Sequence, residues 1–208
     1  MKKIVLVLIC VWLIQPGFSQ QNKNSYFDQV GVMIAPGFST VMGGDSWSGT
    51  FGFQLGIESR IYKMNENSSV YGGVLFSLQG ASYEEIYSDY VSEKYAGKVT
   101  LGYISIPILY NYLSDNGFYA EAGIQPGFLI SANDKLDGGE SYDYKDAINS
   151  FDLAIPVGAG FWINEKLSVG ARAVFGLTNI NSSESYDSDQ TDRNFLLLGV
   201  VRYNFKKE

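Results

Sequence analysis

Residues 101–130 read LGYISIPILYNYLSDNGFYAEAGIQPGFLI. In the first arm Ile104, Ile106, Ile108, Tyr110 and Tyr112 share one side of an extended chain, and Ser105, Pro107 and Asn111 share the other. After the turn signal Ser114-Asp115-Asn116-Gly117 the pattern repeats, with Phe118, Ala120, Ala122, Ile124, Phe128 and Ile130 opposing Tyr119, Glu121, Gly123, Gln125 and Gly127. Period-two alternation sustained for about a dozen residues per arm, against a mean strand of about 5–6, predicts a long β-hairpin. One face is soluble in hydrocarbon, while the other carries a Glu, a Gln and glycines. Such a hairpin separates oil from something polar.

The rest of the chain repeats this pattern. Strands are predicted at 29–41, 49–62, 69–83, 94–113, 118–130, 149–163, 167–180 and 193–205. The second has the clearest alternation, with Phe51, Phe53, Leu55, Ile57 and Ile61 against Gly52, Gln54, Gly56, Glu58 and Arg60. Connections 84–93, 131–148 and 181–192 are long, and they alternate with the short turns 63–68, 114–117 and 164–166. Short connections force antiparallel neighbours, because a parallel pair needs a crossover. Pro36, Pro107, Pro126 and Pro156 lie inside strands, where each removes a ladder donor, so bulges are expected there, with a parity reset near Gly102.

Ahead of the strands, Lys2 and Lys3 precede an apolar run over 4–14 and a small-residue ending, Phe18-Ser19-Gln20. This is the pattern of a cleaved signal peptide over 1–20, leaving 21–208 as one barrel domain. Cys10, the only cysteine, falls inside it, so the mature domain has no disulfide. With 23 Gly, 15 Tyr, 13 Phe and no His, the composition suits β structure. A net charge of −7 excludes nucleic acid as a partner.

A soluble barrel turns its broad apolar face inward. Here the apolar face carries almost no ionisable residue through eight strands, and the small, polar face suits a narrow lumen. The sequence therefore predicts an all-β fold, an eight-stranded antiparallel transmembrane β-barrel of the bacterial outer membrane. The charges on the predicted inward face, Glu58, Arg60, Glu121, Asp152, Arg172 and Arg202, balance at three acids and three arginines. Unpaired buried charge is costly, so they are expected to form a paired network that fills the lumen. The alternative is a path for protons or ions. Aromatic girdles are expected from Tyr62, Tyr110, Tyr112, Phe118, Phe161, Trp162, Tyr203 and Phe205 at the turn end. At the loop end the candidates are Trp47, Phe51, Tyr83, Tyr95, Phe151 and Phe195.

The stretch Tyr103-Ile104-Ser105-Ile106-Pro107-Ile108-Leu109-Tyr110, with Phe118-Tyr119-Ala120-Glu121-Ala122-Gly123, Phe151-Asp152-Leu153, Gly158-Ala159-Gly160 and Leu177-Thr178-Asn179-Ile180, resembles the outer-membrane β-barrel family of Bacteroidetes-type bacteria, often called PorT-like. The resemblance covers nearly the whole mature chain. It implies the fold and the outer-membrane location and hardly constrains activity.

Without His or a mature Cys, nucleophilic triads and histidine metal sites are excluded, and neither an enzyme nor a cofactor is expected. Fourteen of the 22 acids fall in the loops. Two groups, Asp187, Asp189 and Asp192, and Asp134, Asp137 and Glu140, are candidate oxygen ligands for Ca²⁺, although neither has EF-hand spacing. The expected function is structural or surface interaction through acidic, Tyr-rich extracellular loops. A narrow channel for ions or very small solutes is the alternative, followed by an accessory barrel of a secretion complex. Expected partners are outer-membrane lipid and lipopolysaccharide, with an unknown surface or periplasmic protein.

Overall fold

The structure is a computed structural model that describes residues 29–43, 47–87, 93–137, 139, 141–182 and 191–206. The expected signal peptide, 1–20, lies outside the described residues. Eight long strands follow in order: β1 (Gln29–Met42), β2 (Thr50–Lys63), β3 (Ser68–Tyr87), β4 (Glu93–Ser105, continuing as Ile108–Leu113), β5 (Phe118–Leu136), β6 (Phe151–Trp162), β7 (Leu167–Gly176) and β8 (Arg193–Lys206). Each pairs antiparallel with the next. β8 closes on β1, from Gln29 opposite Lys206 to Met42 opposite Arg193. The sheet is thus a closed ring of eight strands with no open edge strand, as hydrocarbon requires.

The predicted parity decides which side of the wall is which. Ile34, Phe51, Ile57, Val74, Ile124, Val157 and Leu197 project outward and are roughly half exposed, whereas Met33, Gln54, Leu75 and Arg172 beneath them are fully buried. An apolar exterior around a polar-bearing interior matches a barrel dissolved in lipid.

The turns at one end are short. In the β4–β5 turn Ser114 N–H donates to Phe118 O at 2.8 Å and Gly117 N–H to Ser114 O at 3.0 Å. Gly117 has φ +87°, which favours glycine. At the opposite end β3 runs to Tyr87 and β5 to Leu136, beyond the predicted ends at 83 and 130. The ladder continues there through polar residues because main-chain pairing does not depend on apolar side chains. β7 instead stops at Gly176, and the chain after it turns inward, burying Ile180.

The prolines do not produce the expected bulges. Ile34 opposite Val201 and Gly37 opposite Leu198 flank Pro36 in one register. Ser105 opposite Gly127 and Ile108 opposite Ile124 do the same around Pro107. Pro126 and Pro156 stand opposite Leu153 and Val174 in continuous ladders. A missing donor removes a rung without adding a residue, so register survives. The bulges fall elsewhere. Ile61 is the extra residue between Arg60, opposite Tyr71, and Tyr62, opposite Val70. Ile130 is the extra residue between Leu129, opposite Tyr103, and Ser131, opposite Gly102. The reset expected near Gly102 therefore lies on the facing strand.

The lumen is also less polar than expected. Met33, Ala35, Leu75, Ala154, Val174, Leu196, Leu198 and Val200 form an apolar cluster inside it. A second apolar cluster includes Val41, Leu101, Tyr103, Leu129, Ile148 and Ile180, with Trp47, Tyr83 and Tyr144 packed against it. Three expected girdle members are thereby reassigned. Trp47 and Tyr83 pack against this internal cluster, and Trp162 lines a recess at the turn end. Tyr62, Tyr110, Tyr112, Phe118, Phe161, Tyr203 and Phe205 are exposed on the outside at the turn end, with Phe51 and Phe151 at the other. The Tyr95 side chain lies outside the described residues.

Candidate functional site

The inward face of β8, read from the loop end to the turn end, samples the lumen level by level: Asn194, Leu196, Leu198, Val200, Arg202 and Asn204. At the Arg202 level four charges meet. Arg172 donates from Nε to Glu121 Oε1 and from Nη2 to Glu58 Oε1, both at 2.9 Å. Arg202 donates from Nε to Glu58 Oε2 and from Nη2 to Glu121 Oε2, both at 2.6 Å. Each guanidinium thus bridges both carboxylates, and each carboxylate is held by both guanidiniums. The ring is charge-neutral and crosses the lumen from β2 and β5 to β7 and β8. All four residues are at most 5% exposed. Charge-assisted bonds of this length in a dry interior are strong, and salt screens them little.

Glycines make room for this ring. Gly73 stands opposite Glu58 and Gly158 opposite Glu121. A Cβ at Gly158 would lie 2.9 Å from Glu121 Oε1, and one at Gly73 would lie 2.9 Å from Glu58 Cγ. Toward the turn end, the Tyr119 ring lies 5.2 Å from the Arg202 guanidinium carbon and supports it through a cation–π contact.

The other two expected members of the network stand apart from the ring. Arg60 lines a recess of about 640 Å³ at the turn end, together with Tyr71, Asn111, Trp162 and Asn204. It follows Glu58 by two residues and so falls one inward step nearer the turn. Asp152 lies toward the loop end, beyond the apolar layer. The Thr178 hydroxyl donates to its Oδ1 at 2.5 Å and Asn194 Nδ2 to its Oδ2 at 3.0 Å. Balanced composition had suggested one network, but spacing along the strands separates it into three levels.

At the loop end, described side chains from separate elements bind one another. Tyr83 OH donates to both oxygens of Asp134 at 2.9 Å, and its ring meets Trp47 edge-on at 5.9 Å. Trp47 Nε1 donates to Asp192 Oδ2 at 3.3 Å, and Asn181 Nδ2 donates to the same oxygen at 3.2 Å. Beneath this strap Ile148 and Ile180 enter the apolar cluster from two different connections. The candidate calcium ligands Asp134 and Asp192 are therefore acceptors within the strap. Asp137 sits at the end of β5, where its N–H donates to Ala96 O at 2.9 Å. Asp187, Asp189 and Glu140 lie outside the described residues. Among the described residues no three acidic side chains are grouped as metal ligands.

Sequence reasoning missed Tyr119, Thr178, Asn194, Trp47 and Tyr83 as parts of these interior contacts. Alternation sets Tyr119 opposite the apolar face, but nothing in the pattern singled out the partners across the barrel.

Comparison with known proteins agrees with this architecture. The chain is similar to Neisserial surface protein A, at 14% identity and a TM-score of 0.54, over 85% of this chain and 97% of that one. It is also similar to the outer membrane protease OmpT from Escherichia coli, at 10% identity and a TM-score of 0.50, over 88% of this chain and 99% of that one. At such identities the likeness concerns the fold alone. No curated protein sequence matches the chain. The outer membrane protein beta-barrel domain family matches residues 17–182. With that match, the closed ring of eight strands and its lipid-suited exterior, the chain belongs to the outer membrane protein β-barrel domain family and resides in the bacterial outer membrane.

Proposed function

We propose that the protein is a non-conducting, non-enzymatic barrel of the PorT-like branch that presents its long-loop end outside the cell as an interaction surface. The observation that carries this reading is the three-level closure of the lumen. It consists of the charge ring of Glu58, Glu121, Arg172 and Arg202, the apolar layer around Leu75, Leu196 and Leu198, and the cap tied by Trp47 and Tyr83. A barrel filled this way has no use as a conduit, which leaves its ends for function. At the long-loop end Tyr142, Asp143 and Asp146 are exposed, and the composition of the surrounding connections is acidic and rich in tyrosine. Aromatic residues with few lysines are suited to protein contact.

The test is conductance of the refolded protein in planar bilayers, with insertion verified by the heat-dependent gel shift of a folded barrel. Wild type is expected to be silent. Steady wild-type openings that change in Arg172→Ala and Glu121→Ala would overturn the sealed-lumen reading and promote the pore. Copurification with periplasmic partners in place of surface ones would promote the secretion-accessory reading.

A further inference from the structure

On the outer wall, near the loop end, β4 and β5 place Lys98 directly opposite Lys135. Val99, next to Lys98, and Ala132, three residues before Lys135 and so of opposite parity, point inward and are buried, which puts both lysines on the outside. Two like charges in direct register repel and destabilise a sheet. Neither lysine makes an ion pair with any described residue. The nearest acids in register are diagonal: Glu84, which faces Ala96 two residues from Lys98, and Asp143, which faces Asn133 two residues from Lys135. Asp143 Oδ1 already accepts the Lys145 N–H at 3.0 Å. A third ammonium lies lower on the same wall, where Lys145 Nζ donates to Ile130 O at 3.3 Å, at the bulge. Three cations on one outward face are notable in a chain of net charge −7.

Height identifies what they face. Below them the same wall is apolar through the half-buried Ile104 and the exposed Ile106, Phe128 and Ile130, down to Tyr110 and Tyr112 at the turn end. Lys98 is fourteen residues along the strand from Tyr112. At about 3.3 Å per residue and a tilt of about 40°, that is roughly 35 Å along the barrel axis, against an apolar band of about 25 Å. The pair therefore stands about 10 Å beyond the hydrocarbon, at headgroup depth, within reach of lysine side chains that snorkel. Ser82 and Ser141 flank it, opposite Lys98 and Lys135 respectively, and supply hydroxyls for sugar contacts.

We propose that Lys98 and Lys135, assisted by Lys145, form a docking site for a phosphate-bearing glycolipid headgroup of the outer leaflet. The apolar wall beneath takes the acyl chains, and the phosphate removes the repulsion between the two ammonium groups. The proposal rests on the foregoing reading only for the outward orientation of the loop end.

The test compares wild type, the double variant Lys98→Gln/Lys135→Gln, and Arg193→Gln, which removes an outward cation from β8 instead. Each is refolded into phosphatidylcholine vesicles alone, with bis-phosphorylated lipid A, or with dephosphorylated lipid A, and its thermal unfolding midpoint is followed by the gel shift. Phosphorylated lipid A is expected to raise the wild-type and Arg193→Gln midpoints by several degrees, and the dephosphorylated form to leave them unchanged. The double variant is expected to match or exceed wild type in phosphatidylcholine and to ignore lipid A. Lys98→Arg/Lys135→Arg, which keeps the charges, should respond as wild type does. Equal responses of wild type and the double variant would overturn the proposal, as would an equal rise with dephosphorylated lipid A. An equal rise from inorganic phosphate in detergent micelles would indicate a site for free anions and overturn the lipid assignment. Because the assay uses purified protein in vesicles, its failure leaves the sealed-lumen reading, which conductance tests, unaffected.

Discussion

A glycine facing the lumen is a space reserved for the side chain across the ladder. Gly158 occupies such a space beside Glu121, and Gly199, on the lipid side, does not. A Cβ at Gly199 would meet nothing nearer than Pro36 O at 3.8 Å. Gly158→Ala is therefore expected to displace Glu121 from both arginines and to cost about 1–3 kcal/mol, the usual penalty of overpacking. Gly199→Ala is expected to be neutral or slightly stabilising, because it also reduces the freedom of the unfolded chain. Urea unfolding in lipid vesicles checks both. Removing a partner is harsher than crowding one. Arg172→Ala leaves Glu58 and Glu121 each with a single arginine in a dry interior, and a loss of about 3–5 kcal/mol is expected in the same assay. At this scale the sequence was informative about which residues face inward, because parity is local. It was uninformative about who meets whom, because Glu58 and Arg172 are 114 residues apart and their contact depends on barrel closure.

Strands that outrun the membrane are held by different forces from those within it. The extension of β5 from Ser131 to Leu136 gains little from lipid and is anchored instead by Tyr83 gripping Asp134 from β3. Tyr83→Phe removes the single hydroxyl bond shared by the two carboxylate oxygens, a loss of about 1.5–3 kcal/mol in that segment. The expected signature is faster hydrogen exchange of the amides over 131–136, with those of 118–128 unchanged. Uniform acceleration along the whole strand would show that the strap has no local role. Element ends were the least legible part of the sequence, because alternation of apolar and polar residues reports the environment of the two faces and not the reach of the ladder. Beyond the hydrocarbon both faces turn polar and the signal stops, although pairing continues to Glu93 opposite Tyr87. The bulges at Ile61 and Ile130 were hidden for a related reason. Each inserts one residue into a run that still looks extended, whereas proline draws attention without shifting register.

Over the whole molecule the fold was legible because eight segments independently repeat one contrast, and only a closed antiparallel ring satisfies all of them in lipid. What the contrast concealed was the composition of the interior. Leu196, Leu198 and Val200 on the inward face of β8, with Met33, Leu75 and Val174, build an apolar layer between Arg202 and Asn194. On the proposed reading the lumen is sealed in series, and a series seal opens only when every layer is breached. Arg172→Ala alone breaches one layer and is expected to lower stability without producing channel openings. Combining it with Leu75→Ala and Leu198→Ala hollows the layer above, yet the cap formed with Val41, Leu101 and Ile180 remains. Openings are therefore expected only when Ile180 and Trp47 are replaced by alanine as well, with stability monitored so that unfolding is not mistaken for gating. A conducting Arg172→Ala variant with an intact gel shift would show that the charge ring is the sole barrier and that the apolar layers admit water.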